Sequence, residues 1–160
     1  MAAPPGRQVV QEGIVDLREP RPIIFTAQSR HLFYCRMLIC RYVFEQGAVP
    51  LNPFTLYGYF LHDLVDRDLV RRGNNNLVRM ADELWVFGPI ADGVLAEIEY
   101  AIGLRKSIRF FSAGPEFSDI RPVPVGELVF EPEALQQAAK GELKGAIAGY
   151  LSGGSAPGQA

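Results

Sequence analysis

Histidine and cysteine are almost missing from this chain: there are two of each in 160 residues. Neither pair has the spacing of a metal site, so no metal ion is expected, and no other cofactor is called for. Cys35 and Cys40 lie on a predicted helix and face different ways, which argues against a disulfide between them. Reduced thiols fit a cytoplasmic protein. No apolar run is long enough to cross a membrane. The first residues hold Pro4, Pro5 and Arg7 without an apolar core, so no signal peptide is expected. A strong charge of either sign is lacking too. The net charge is −2, and without a basic surplus a nucleic-acid polymer is not an expected partner. No internal repeat is visible.

What is present suffices for one core, since 48% of the residues are hydrophobic. The clearest order lies between Asp82 and Ser112. Leu84 to Phe87 is an apolar run ended by Gly88-Pro89, which reads as a buried strand with a breaker. Asp92 opens a helix that runs to about Gly103 or Leu104. Ile108 to Phe111 is a second apolar strand. Strand, helix and strand at this spacing form a βαβ unit, and hence a parallel sheet. Ligands of such sheets bind beyond the carboxyl ends of the strands. That rule selects the loop from Gly88 to Gly93, with Glu97 just inside the following helix.

The remaining chain extends the pattern. Residues 1–20 are an expected extended arm, 21–151 a single domain, and 152–160 a Gly-, Ser- and Pro-rich tail. Ile23 to Ala27 reads as the first strand, and the turn Gln28-Ser29-Arg30 leads into a helix from about Arg30 to Gln46. Gly47 stops it. Val49 to Leu51 is a short strand, and Pro50 places it at an edge. Residues 55–80 read as helical with a break at Gly73-Asn74-Asn75-Asn76. Glu127 to Phe130 reads as a final strand, and a last helix runs from Pro132 to about Leu151. The fold class is therefore α/β: a three-layer sandwich around a parallel sheet of about five strands in flavodoxin-like order, with the first strand central.

Glu97 is the leading candidate for chemistry. Gly93 and Ala101 lie four residues either side of it, so its helix face is small and leaves room for a ligand. Glu99 points well away. A helix N-terminus also helps keep a carboxylate ionised. Periodicity alone would still make Glu97 a solvated helix glutamate. Asp92 is in the same position, a simple cap by its spacing. Asn52 either caps a helix or touches a ligand. Thr26 to Arg30 offers backbone N–H groups, with Ser29 as a cap and Arg30 as a charged fork or a plain surface residue. Tyr57, Tyr59 and Phe60 either stack on a base or belong to the core. His31 and His62 are isolated.

The ordered set Asp92-Gly93-Val94-x-x-Glu97-Ile98-x-x-Ala101, after a strand opened by Ala81-Asp82, resembles the nucleoside 2-deoxyribosyltransferase superfamily, which includes deoxynucleoside 5'-monophosphate N-glycosidases. The similarity extends over roughly residues 22–112. It implies that Glu97 is a nucleophile that attacks the anomeric carbon of a nucleoside or nucleotide, expels the base and holds the sugar covalently until water or another base accepts it. An N-glycoside breaks through an oxocarbenium-like centre, which a carboxylate stabilises or traps. The resemblance also implies a 5'-phosphate at Arg30 or a sugar hydroxyl at Asp92, two roles that favour different substrates. It implies a homodimer or larger assembly. The chain departs from the family pattern twice. Phe25 stands where a tyrosine is common, and Asn74 where an aspartate is expected, unless a longer helix lets Asp68 take that role. Two other readings stand beside this one: a non-catalytic nucleotide-binding or sensing module of the same fold, and an unrelated flavodoxin-like or Toll/interleukin-receptor-like NAD glycohydrolase domain.

Overall fold

Four short apolar runs make the sheet. In a computed structural model, which describes residues 16–135 and 140–153, β1 (Ile23–Gln28), β2 (Val49–Leu51), β3 (Glu83–Phe87) and β4 (Ser107–Phe111) are all parallel. Their order is β2-β1-β3-β4, so β1 is central and the Pro50 strand is at the edge, as its missing donor requires.

The helices are α1 (Arg36–Glu45), α2 (Pro53–Tyr57), α3 (Arg67–Met80), α4 (Asp92–Gly103), α5 (Pro132–Leu135) and α6 (Lys140–Gly153). Alternation along the strands sorts the side chains into two cores. Ile24, Trp85, Phe87 and Phe111 pack with Ile39 and Val43 of α1. Phe25, Leu84, Val86, Ile108 and Phe110 pack on the other face with Val78 of α3, Ile98 of α4 and Ile147 of α6. The result is a three-layer α/β arrangement.

Several expectations need correction. The sheet has four strands where about five were expected. Residues 121–123 run antiparallel along the open edge of β4, with Val123 N–H donating to Phe110 O at 2.9 Å and Ser112 N–H to Arg121 O at 2.8 Å. That edge is therefore taken, and the expected strand 127–130 is reduced to one bridge between Phe130 and Ile90.

The helix expected from Arg30 starts as a 3-10 turn over Arg30–Cys35. The Gln28 amide and the Cys35 thiol both donate to Leu32 O, which diverts that carbonyl from a regular helical bond. The break expected at residues 73–76 does not exist: α3 passes straight through it. Asp66 caps α3 by accepting from Asp68 N–H, and buried Val70 and Val78 anchor it. Of the extended arm expected over residues 1–20, residues 1–15 lie outside the described residues, as do 136–139 of the expected last helix and 154–160 of the expected tail. Ser152 and Gly153, expected in the tail, are the end of α6.

Candidate active site

Chain connectivity opens a crevice between β1 and β3. From β1 the chain moves to β2 on one side, and from β3 to β4 on the other. The loops after these two strands therefore part, at the topological switch point where α/β sheets bind ligands. A cleft of about 550 Å³ lies there. Its floor is the end of β1 from Thr26 through the turn to His31. One wall is the start of α4, from Ala91 to Glu97. The other is α3, through Arg67, Arg71, Asn74 and Asn75. Phe54 and Phe60 close one side, and Glu131 and Glu133 another.

Glu97 lies one turn into α4, half-buried in the cleft wall, with Leu95 and Ile98 beside it buried against the sheet. Its carboxyl has no hydrogen-bond or ion-pair partner among the described residues. Enclosure without a partner favours the neutral form, and burial pushes its pKa up to about 8 from an ordinary 4.5. The expected help from the helix N-terminus is outweighed: the shift is upward. Gly93 lines the cleft and adds open space beside it. Ala101, expected on the same small face, is instead fully buried in the core under the sheet. Glu99 is exposed, as its spacing required.

Two buried polar atoms in this cleft are unpartnered: Thr26 Oγ1 and Asn74 Oδ1. Thr26 is only 1% exposed. Such atoms cost about 1–3 kcal/mol each when left without a hydrogen bond. A polar ligand in the cleft would supply the missing partners. Asp92 also lines the cleft, where its Oδ1 accepts from Gly93 N–H at 2.8 Å. Ser29 accepts from His31 N–H and so shapes the turn. Arg30 is exposed at the rim, without a hydrogen-bond or ion-pair partner among the described residues.

Three other candidate residues stand elsewhere. Asp68, proposed as a catalytic acid if the helix were longer, does lie on a longer helix, but not in the cleft lining. Its carboxylate is exposed and bound by Arg71 at 2.8 Å. Asn52 is buried behind the cleft, not in its lining. It caps α2 by accepting from Phe54 and Thr55 N–H, and its amide donates to Gln28 Oε1 at 2.8 Å. Gly88 has φ of +76° and is packed so that a β-carbon there would collide with Leu32, so its role is backbone geometry. Phe25 is fully buried in the core and does not face the cleft.

Sequence reading missed Glu131 and Glu133. Gln28 links the floor to its surroundings: its amide donates to Leu32 O at 2.6 Å while its oxygen accepts from Asn52. Tyr57 and Tyr59 do not line the cleft, whereas Phe60 does.

Ser29 to Phe111 also matches, as residues 29–111, the profile of a family described as a domain of unknown function, DUF7768. The chain belongs to this family. The DUF7768 segment holds β2, β3, β4 and the α4 wall with Glu97, but not Thr26, Glu131 or Glu133. No curated protein matches the chain.

Proposed function

We propose that the chain cleaves or transfers the N-glycosidic bond of a nucleoside or nucleotide, with Glu97 as the attacking carboxylate. The observation that carries this reading is Glu97 itself: an unpartnered carboxyl in a cleft at the switch point, beside two polar atoms in need of partners. An oxocarbenium-like centre placed there would be stabilised by Glu97 once ionised, with the enclosure reducing the screening by water. The resemblance of the Gly93 to Glu97 spacing to the deoxyribosyltransferase superfamily points to the same chemistry. Thr26 and Asn74 hydrogen-bond the substrate, and Asp92 and Arg30 line its approach.

The raised pKa has a consequence. At neutral pH the empty cleft holds mostly neutral Glu97, so the nucleophile must lose its proton as substrate binds, or the pH must rise. The test is release of free base from a panel of nucleosides and deoxynucleotides. Wild type should release base from at least one, and Glu97→Gln from none at a comparable rate. Binding without release from any substrate would replace this reading with a binding module.

A homodimer belongs to the same proposal. Tyr34, Met37, Phe44 and Leu56 all expose more than half of their surface on α1 and its neighbours, an apolar area that a second copy would cover. Light scattering at micromolar concentration should report twice the chain mass; a monomer would contradict it.

A further inference from the structure

The charges around the cleft are unequal once their partners are counted. Four carboxylates line it: Asp92, Glu97, Glu131 and Glu133. Three arginines do as well, but two are committed elsewhere. Arg67 binds Asp63 at 2.8 Å and lies 4.6 Å from the Phe60 ring centre, and Arg71 binds Asp68. With Glu97 mostly neutral, Arg30 is left to answer three charged acids, Asp92, Glu131 and Glu133. The carboxylates of Glu131 and Glu133 have no hydrogen-bond or ion-pair partner among the described residues. Glu131 is held at the mouth of α4 because its backbone N–H donates to Ile90 O at 2.8 Å, while Ile90 N–H donates to Val129 O at the same distance.

Two further features point to a ligand and to its charge. The buried, unpartnered Thr26 Oγ1 on the floor and Asn74 Oδ1 on the wall call for a polar molecule; the Asn74 oxygen needs a donor such as an amide N–H₂. Phe54 gives the cleft an aromatic ring of the kind that attracts a flat cation, while the Phe60 ring already carries Arg67. Asn74 also has no proton to give to a departing base.

Resting on the glycosidase reading, we infer that the preferred substrate is an N-glycoside whose base carries a fixed positive charge, of the pyridinium class, and that Glu131 and Glu133 read that charge. Such a base needs no general acid. The ionised Glu97 oxygen attacks the anomeric carbon, and the carbon–nitrogen bond breaks with its electron pair passing to the ring nitrogen. The base leaves neutral, and the sugar is held as an ester of Glu97. Water then attacks the same carbon, the ester bond breaks, its electron pair returns to the carboxylate, and the proton of the water passes to solvent. A bound cation also favours the ionised form of Glu97, so the substrate itself prepares the nucleophile.

The test uses nicotinamide riboside as the cationic substrate, and cytidine and deoxycytidine as neutral ones. The full chain is compared with the Glu131→Gln/Glu133→Gln double variant. Wild type should show a kcat/KM for nicotinamide riboside at least about tenfold above either neutral nucleoside. The pyridinium is also the better leaving group without help, and that advantage is the same for both proteins. Only the change in the ratio therefore reports the cleft. The ratio should fall about fivefold or more in the double variant, mainly through KM, with the melting temperature retained. An unchanged ratio, or neutral nucleosides cleaved as fast by wild type, overturns the inference and leaves the glycosidase reading standing. No base released from any of the three or from the wider nucleoside panel overturns both. A double variant that fails to fold is replaced by the two single variants, for which the same ratio decides.

Discussion

The first turns of α3 and α4 start alike and end differently. An aspartate stands at the start of each, Asp66 as the cap before α3 and Asp92 as the first residue of α4, and each helix carries a carboxylate that invites a catalytic role. At α3, Asp68 faces solvent and is bound by Arg71 three residues on. At α4, Glu97 faces a cleft and is bound by nothing among the described residues. A surface pair of the first kind contributes little to stability. Enclosure of the second kind pushes the acid to about 8. Proximity to a helix N-terminus is common to both and so does not decide reactivity. Access to water and the nearness of a cation decide it.

The contrast can be broken most severely at Glu97. Glu97→Gln keeps the shape and removes the nucleophile, so base release should fall by about three orders of magnitude or more, read as free base against time. The matching change at α3, Asp68→Asn, should leave release within about twofold. Equal losses from both would erase the distinction.

Stability should respond in the opposite direction. Glu97 in the folded state holds its proton up to about pH 8, whereas the unfolded chain releases it near 4.5. Between those values the folded state binds more protons, so this group's contribution falls as pH rises, and its full cost is present above about 8. Glu97→Gln removes that cost. The variant should be more stable than wild type at pH 9 by up to a few kcal/mol, since each tenfold difference in proton affinity between the folded and unfolded chain is worth about 1.4 kcal/mol. The advantage should vanish near pH 4. Chemical denaturation at both pH values checks it; a constant difference would place Glu97 in water.

Asn52 supports the cleft from behind. Asn52→Ala removes the α2 cap and leaves Gln28 Oε1 without its donor, at a cost of about 1–3 kcal/mol by denaturant melts. Thr26→Val is the gentler change. It deletes a buried hydroxyl that bonds to nothing in the free protein, so stability should hold or rise, while substrate KM rises about tenfold, the value of one hydrogen bond. A KM unchanged by this variant would remove Thr26 from the site.

The sheet was legible because its strands are short apolar runs with breakers after them: Gly88-Pro89 after β3, Asn52-Pro53 after β2. The α4 wall was legible for the same local reason. The α3 wall was not. Gly73 and three asparagines look like a stop, yet α3 runs through them, because Val70, Leu77 and Val78 repeat at helical spacing, with Val70 buried and Leu77 and Val78 packed in the core under the sheet. Once the helix is continuous, Arg67, Arg71, Asn74 and Asn75 fall on one face. That spacing was the available signal for the second wall. Glu131 and Glu133 had none. They reach the cleft because residues 129–131 bond to Ile90, a contact some forty residues away in sequence that no local pattern announces. Asn52 and Gln28 look alike as polar residues beside strands, and only packing shows that they bind each other, with Asn52 behind the cleft and Gln28 on its floor, while Thr26 and Asn74 are left with unpartnered oxygens.

The central claim is that one enclosed carboxyl does the chemistry, and the pH dependence of kcat/KM tests it most directly, because that quantity reports the ionisation of the free protein. For wild type on its best substrate, kcat/KM should rise about tenfold per pH unit and level off near 8, where Glu97 ionises. Glu97→Gln should be flat with pH and orders of magnitude slower. A wild-type profile that is flat from pH 5 to 9, with Glu97→Gln equally active, would contradict the account.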